Sequence, residues 1–449
     1  MSMTSQLALM NKNAIALASD SAVTVGDKTY NSATKIFTLG GKQPIGFMIS
    51  NAGIYLPCNV SWERVIGLFS DEIGVRILPT VADYVKEFKK FLLESPKLMP
   101  NSENSTYIQS DLIEFLQHWL NPETKSKLDD VAYSLGIKYE EFPGLDEYVS
   151  DNLNKRIDHL HNQIVELVQG LNSKDQYKHI RITEFHAETL NTANQIFCEM
   201  YDVSSERVNK TLEILSYHLA NNSETPGGGG GAFSNLIIAG FGSEEISPVL
   251  VELKVGAIID PQMGPTDEGT TNFIRIRTNL SDEGGLEFMD DNKEVSGAAF
   301  IIPYAQHSEI QNILNGIHNE LINSYFMDKL PRFIADSVLD QLTVTLSEID
   351  GIGPSTQAKI IKGFQESSDP LKQNIFKELG KAVNHFRGKR RGMFRDSTRM
   401  MSAGQLAGFA KKLVSMEAEI TYYSKSKRTV GGEIVVATIT KEHGFVLIK

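Results

Sequence analysis

The strongest constraint on the fold is where the chain keeps its small apolar runs. Residues 5–52 hold "SQLALM", "AIALAS", "KIFTL" and "PIGFMIS", parted by turns that carry Gly and Asn. Similar runs return after residue 233 as "NLIIAGF", "SPVLVELKVGAII" and "GAAFII", and the chain closes on "EIVVATIT", the turn "KEHG" and "FVLIK". These runs lack the strict apolar–polar alternation of a strand with one wet face, so they predict sheets buried on both sides. Amphipathic segments of helical period separate the two clusters, among them "VADYVKEFKKFLL", "NKRIDHLHNQIVELVQGL" and "ERVNKTLEILSYHLA". Two sheets packed together and covered by helices satisfy that pattern, an α+β arrangement.

Size and charge narrow the field. At 449 residues the chain exceeds what one ordinary core fills, so two domains or one core with large insertions are expected. A net charge of −12 argues against a chain-wide surface for nucleic acid or anionic membrane. Cys58 and Cys198 stand alone, without a CxxC or a His at ligand spacing, so neither a disulfide framework nor a metal site is expected. No apolar run approaches the ~18 residues of a membrane span, and no leader pattern opens the chain. The expectation is a cytoplasmic protein with no membrane contact. Five glycines after Pro226 fit neither a helix nor a strand interior and predict a flexible re-entry into the second β cluster.

The first two runs, "QLALM" and "AIALAS", flank "NKN" and read as a tight hairpin that begins almost at the terminus. That places Thr4 at the head of a strand, Asp20 at the end of its partner and Lys35 at the start of "KIFTL". A threonine hydroxyl is a poor nucleophile until a base takes its proton, and the residue's own α-amine, with an unperturbed pKa of ~7.7–8.0, serves once it is free. A neighbouring ammonium, here that of Lys35, keeps such an amine neutral, and Asp20 would fix the lysine. Backbone N–H groups of Ser50 and Asn51, in the turn after "PIGFMIS", are the candidate oxyanion hole.

The stretch "ALASDSAVTVGDKTYNSATKIFTL…IGFMISNAG" resembles the opening of proteasome β-type subunits and of the proteasome-like peptidase that bacteria pair with an unfoldase ring. "NLIIAGFGSEEISPVLVELKVGAIID" is similar to their central hairpin, and "MSAGQLAGFAKKLVSMEAEITYYSKSKRTVGGEIVVATIT" to their last helix, Gly-Gly turn and closing strands. The three parts recur in the family's order and cover about half the chain. The resemblance implies the four-layer αββα sandwich of N-terminal-nucleophile hydrolases. The family's catalytic Thr and Asp fall on Thr4 and Asp20 without a gap, and its catalytic Lys on Lys35 if one loop residue is missing. It further implies a threonine-type peptidase without metal or organic cofactor, acting on peptide or protein substrates, as a homo-oligomer, with an unfoldase ATPase as a further partner.

Such chemistry requires loss of "MSM", and self-cleavage between Met3 and Thr4 is the family-like route. Ser2 is the competing nucleophile, but two residues along a strand cover ~6.6 Å, which sets it too far from Lys35. Two departures stand out. Where the family has a Ser-Gly-rich turn before its third helix this chain has "AAFIIPYAQHSEI", and near the Gly-Gly turn it offers Lys427 and Val430 where the family has an Asp and a Ser. The expected division is 1–56 as the first half of the core and 57–230 as a helical insertion ending in the glycine run. Residues 231–325 continue the core, 326–396 form a second helical insertion, and 397–449 supply the last core helix and closing strands.

Within the second insertion "LSEIDGIGPSTQAKIIKGF" matches a helix–hairpin–helix pattern, and "HFRGKRRGMFRDSTR" downstream clusters Arg387, Lys389, Arg390 and Arg391. In DNA-binding proteins such a turn offers N–H groups to phosphate. A nucleic-acid-associated effector acting through 345–399 is therefore a rival reading, beside a solvated or partner-facing insertion and a catalytically silent scaffold of the same fold. Ile157, Leu160, Ile164, Leu167 and Leu171 form a short heptad seam that predicts packing on a neighbouring helix or second subunit. His159 and His161 beside it lack a third ligand.

Overall fold

The hairpin at the head of the chain forms as its pattern predicts. Strand β1 (Ser5–Met10) pairs antiparallel with β2 (Ala14–Asp20), Leu7 opposite Ala18 and Leu9 opposite Ala16. Asn11 shapes the turn. Its Oδ1 accepts from the N–H groups of Asn13 (3.0 Å) and Ala14 (3.1 Å), a side-chain mimic of a backbone turn. Its Nδ2 donates to the carbonyls of Thr398 (3.1 Å) and Met401 (2.8 Å), which ties the turn to the segment leading into the last helix.

The structure, a computed structural model, describes residues 4–110 apart from 26–27, 31–32, 41–42 and 103; 191–196, 198, 206, 233–256 and 275–277; and 299–448 apart from 320, 350–351, 367 and 425–429. The glycine run after Pro226, the heptad seam with His159 and His161, and the "MSM" segment lie outside them. The fold is mixed α and β, and every described ladder whose register is defined is antiparallel. The described chain divides into two units, one from 23–278 and 439–446, the other from 4–22, 279–438 and 447–449. No described helix is long and apolar enough to cross a membrane.

In the first unit the short strands β3 (Val23–Val25) and β4 (Lys28–Tyr30) make a separate ribbon. Strands β5 (Ile36–Thr38) and β6 (Ile45–Asn51) then join β9 (Ser234–Gly240), β10 (Val249–Val255) and β11 (Arg275–Arg277) in one sheet of order β11-β10-β9-β6-β5. Between them β7 (Ile54–Tyr55) and β8 (Val60–Ser61) lead into α1 (Trp62–Ile73), followed by α2 (Val81–Glu94). Helix α1 opens on Ser61, whose hydroxyl accepts from Arg64 N–H, and stops at Gly74, held at φ 59°. Helix α2 opens on a capping box of Thr80 and Asp83.

Phe47 and Ile49 of β6, Leu236 and Ile238 of β9, and Val251 and Leu253 of β10 pack with Trp62, Phe69, Tyr84 and Phe88 of the two helices. Phe88 meets Phe47 and Phe69 edge-on, with ring centroids 5.3 and 4.9 Å apart. The segment expected to start an insertion at residue 57 therefore begins with two helices of this unit's core. Met48, Ile237 and Ala239, which point to the opposite face of the sheet, are as fully buried.

The other sheet, which falls in the second unit apart from residues 439–446, runs β12-β1-β2-β13-β14, with β12 (Phe300–Ala305), β13 (Ile434–Thr440) and β14 (Gly444–Ile448) beside the first hairpin. One face packs on α3 (Ser308–Asn315) and α7 (Ala403–Ser424). Leu7, Leu9, Ala14, Ala16 and Ala18 meet Ile310, Leu314, Leu406, Ala410, Leu413 and Val414 there. Alanines on β2 leave room for the helix backbone to approach. On the other face Ala8, Ile15 and Leu17 are also buried. Between α3 and α7 come a π-helical stretch (Leu321–Lys329), α4 (Leu330–Glu348), α5 (Pro354–Glu366) and α6 (Ser368–Arg399). The expected helical hairpin is α4 and α5, closed by Gln357 Nε2 donating to the carbonyls of Leu346 (2.7 Å) and Ile352 (3.3 Å).

Candidate functional site

Register builds the site. Because Gln6 stands opposite Ser19, continuing the ladder outward sets Ser5 opposite Asp20 at the open end of the hairpin, with Thr4 just beyond. There the Thr4 hydroxyl donates to Asp20 Oδ1, and the Ser5 N–H donates to the same oxygen at 3.1 Å. Asp20 Oδ2 accepts from the Gly431 N–H at 2.9 Å. Gly431 sits at φ 154°, a backbone setting that glycine adopts without a side-chain penalty. Thr4 and Asp20 are each 1% exposed, so the carboxylate works in a site from which water is withheld and its donors hold it in one orientation.

The strand on the other side completes the frame around Thr4. Strand β12 pairs with β1 up to Ala305 opposite Ser5, and the Gln306 N–H then donates to the Thr4 carbonyl at 2.7 Å. Thr4 is thereby anchored to this side of the sheet through its carbonyl. Ala305 is held at φ 57°, and the His307 ring bonds the Ala305 carbonyl through Nδ1. A carbonyl only accepts, so Nδ1 carries a proton. Burial pushes the His307 imidazole below its usual pKa, against the opposing pull of the Ala305 bond.

Lys35, Ser50 and Asn51 belong to the other unit. Lys35, 7% exposed, leads into β5, and its carbonyl accepts from the Ile49 N–H at 2.9 Å. Strand alternation then turns the Ser50 N–H towards β9, where Ser50 stands opposite Asn235 inside the ladder. The Ala52 N–H, which donates to the Phe233 carbonyl at 3.1 Å, confirms that phase. The Asn51 N–H faces the β5 side from a residue at φ 66°. Of the two predicted oxyanion donors, Ser50 spends its N–H within the sheet. Its hydroxyl is buried without a hydrogen-bond partner among the described residues.

Several groups around Thr4 carry no residue-type signal. Gly431 acts through its backbone N–H, and only the Gly-Gly turn marks it in the sequence. Val430 beside it is buried, and Lys427 lies outside the described residues. Glu417, fully buried on α7, accepts from the N–H groups of Glu309 (2.8 Å) and Ile310 (2.9 Å) at the start of α3. A carboxylate on an otherwise apolar helix face was the available sign.

The basic cluster of α6 is partly spoken for. Arg387 donates to Asn319 Oδ1 at 3.0 Å, Arg391 to Asn315 Oδ1 at 2.7 Å, and the Arg390 guanidinium lies 5.2 Å from the Phe394 ring centroid. Among the described residues no group of three or more His, Cys, Asp or Glu is arranged to hold a metal ion. Comparison with known proteins finds no matching family model and no matching curated protein.

Proposed function

We propose that this chain is a threonine-type peptidase, an N-terminal-nucleophile hydrolase on an αββα sandwich, with Thr4 as nucleophile. The observation that carries the reading is the buried Thr4 hydroxyl bonded to an Asp20 carboxylate that two backbone N–H groups hold in place. The sandwich is supported by two five-stranded sheets, each with helices on one face and buried side chains on the other.

In this reading Thr4 Oγ first attacks the Met3 carbonyl. The Oγ–C bond forms, the Met3–Thr4 C–N bond breaks, and the hydroxyl proton ends on the departing nitrogen. Water then hydrolyses the ester and leaves a free Thr4 amine. In turnover that amine takes the hydroxyl proton as Oγ attacks a substrate carbonyl, and Lys35 keeps it neutral and basic. The Asn51 N–H receives the oxyanion. The proton passes to the leaving amine, and water releases the acyl group. The chemistry uses no metal or organic cofactor. Its partners are a peptide or protein substrate, further copies of the chain and an unfoldase ATPase.

Intact-mass analysis of the purified protein tests the reading. A chain that begins at Thr4, and that keeps residues 1–3 in Thr4→Ala, supports it; a wild-type chain that keeps Met3 overturns it. One observation favours a second reading, a silent scaffold of the same fold: Thr4 is 1% exposed, which withholds its hydroxyl from substrate. That reading predicts the unprocessed mass.

A further inference from the structure

Helix α3 has an unusual cap. Its N-cap residue, His307, makes no side-chain bond to the helix, so the N–H groups of the first turn need another acceptor. Glu417 supplies it from α7, with Oε2 on the N–H groups of Glu309 and Ile310 at 2.8 and 2.9 Å and Oε1 3.4 Å from the Ser308 hydroxyl. One turn further along α7, Thr421 Oγ1 accepts from Gln306 Nε2 at 3.4 Å. Glu417 is 0% and Thr421 1% exposed. Spaced four apart, they share one helix face and grip residues 306–310 together.

A fully buried carboxylate gives up its hydration, so an ordinary surface-type cap such as Ser or Asn at position 307 would serve α3 at lower cost. What the distant cap adds is a fixed place for the turn that precedes the helix. That turn includes Ala305 at φ 57°, a setting disfavoured for a residue with a Cβ, so something must hold it. Gln306, the next residue, is the one whose backbone pairs with Thr4.

We infer that Glu417 and Thr421 are positioning residues for the nucleophile: through residues 306–310 they fix the Gln306 N–H, which holds the Thr4 carbonyl and so the backbone that carries the Thr4 hydroxyl and nitrogen. The inference rests on the peptidase reading and deepens it. After residues 1–3 leave, the Gln306 N–H still holds the Thr4 carbonyl, which limits how the backbone turns beneath the Thr4 amine. Its lone pair is thereby aimed, and only an aimed lone pair removes the hydroxyl proton efficiently. Small misplacements of reacting groups lower rates by on the order of a hundredfold.

The experiment compares wild type with Thr421→Val, Glu417→Ala and Glu417→Gln. Active sites are titrated with a peptide epoxyketone, and a fluorogenic peptide gives kcat per titrated site and KM. The expected result is a loss in kcat of about tenfold to a hundredfold at unchanged KM in Thr421→Val and Glu417→Ala, with Glu417→Gln, which keeps a carbonyl acceptor, restoring most of it. Thr421→Val removes one oxygen at nearly constant volume and keeps the test open if Glu417→Ala does not fold. Wild-type kcat per site in Thr421→Val, whatever its melting temperature, overturns the inference and leaves the peptidase standing. Absence of label on wild type overturns the peptidase itself, and the inference with it.

Discussion

The Thr4 hydroxyl donates to Asp20 Oδ1, and the same carboxylate takes the Ser5 and Gly431 N–H groups. Asp20 is thus an acceptor towards every one of these partners. Asn at this position presents an NH₂ group that must face one of those donors, which leaves a buried N–H unpaired. Asp20→Asn is therefore expected to lower the rate of appearance of the processed chain by on the order of a hundredfold or more, read by intact mass over time after synthesis. Processing at the wild-type rate would remove Asp20 from the mechanism.

In the peptidase reading proposed above, Lys35 depresses the pKa of the freed amine. Removing a neighbouring positive charge favours the protonated amine, so the amine's pKa rises and the fraction of neutral base at a given pH falls. In Lys35→Met the acidic limb of kcat/KM is expected to move to higher pH by about one unit or more, with activity recovering as pH rises. A limb that stays in place while kcat falls uniformly would give Lys35 another role.

His307 makes stability depend on pH. Its folded-state pKa lies below the ordinary value, so between the two the unfolded chain binds the extra proton. The stabilising contribution is complete above about pH 6.5 and is lost as pH falls through the folded-state value. Thermal melts of wild type from pH 7.5 to 5 should fall more steeply than those of His307→Gln. Parallel curves for the two proteins would show that the ring is neutral for no energetic reason.

Ser234 ties together three groups of the first unit. Its hydroxyl donates towards the carbonyls of Ala52 (2.8 Å) and Ile54 (3.1 Å) and accepts from Trp62 Nε1 at 2.7 Å. Ser234→Ala leaves the indole N–H of a residue 1% exposed without its acceptor, at a cost of about 1–3 kcal/mol in denaturant unfolding. Trp62→Phe alone removes the donor as well as ring volume, and combining it with Ser234→Ala should cost less than the sum of the two.

How much of this was legible in the sequence differs by element. The hairpin was, because small apolar runs around "NKN" leave one register, and that register alone brings Asp20 beside Thr4. The place of α1 and α2 was not: the apolar stripe of Trp62, Val65, Ile66 and Phe69 shows that a face is buried but not which sheet buries it. Backbone partners were invisible for a different reason. The Gly431 N–H and the Gln306 N–H are groups every residue but proline carries, and only the closed sheet shows which of them meets Asp20 or Thr4. Glu417 sits more than a hundred residues from the helix it caps, so no local pattern links the two.

Two arginines of α6 make a structural role of the basic cluster testable against nucleic-acid binding. Arg387 and Arg391, four apart on the helix, reach Asn319 and Asn315, also four apart, so two charge-assisted bonds fasten α6 to α3 and the segment after it. Lysine lacks the Nε donor and the planar fork, so Arg391→Lys keeps the charge but not the bond. If the cluster is structural, Arg391→Lys lowers unfolding free energy by about 1–2 kcal/mol in urea. Retention on a column of immobilised single-stranded DNA should then be weak and equal for wild type and Arg391→Lys at low salt. A reader of phosphates shows the reverse pattern, with strong retention that falls steeply with added salt in both proteins and a stability that the substitution leaves unchanged.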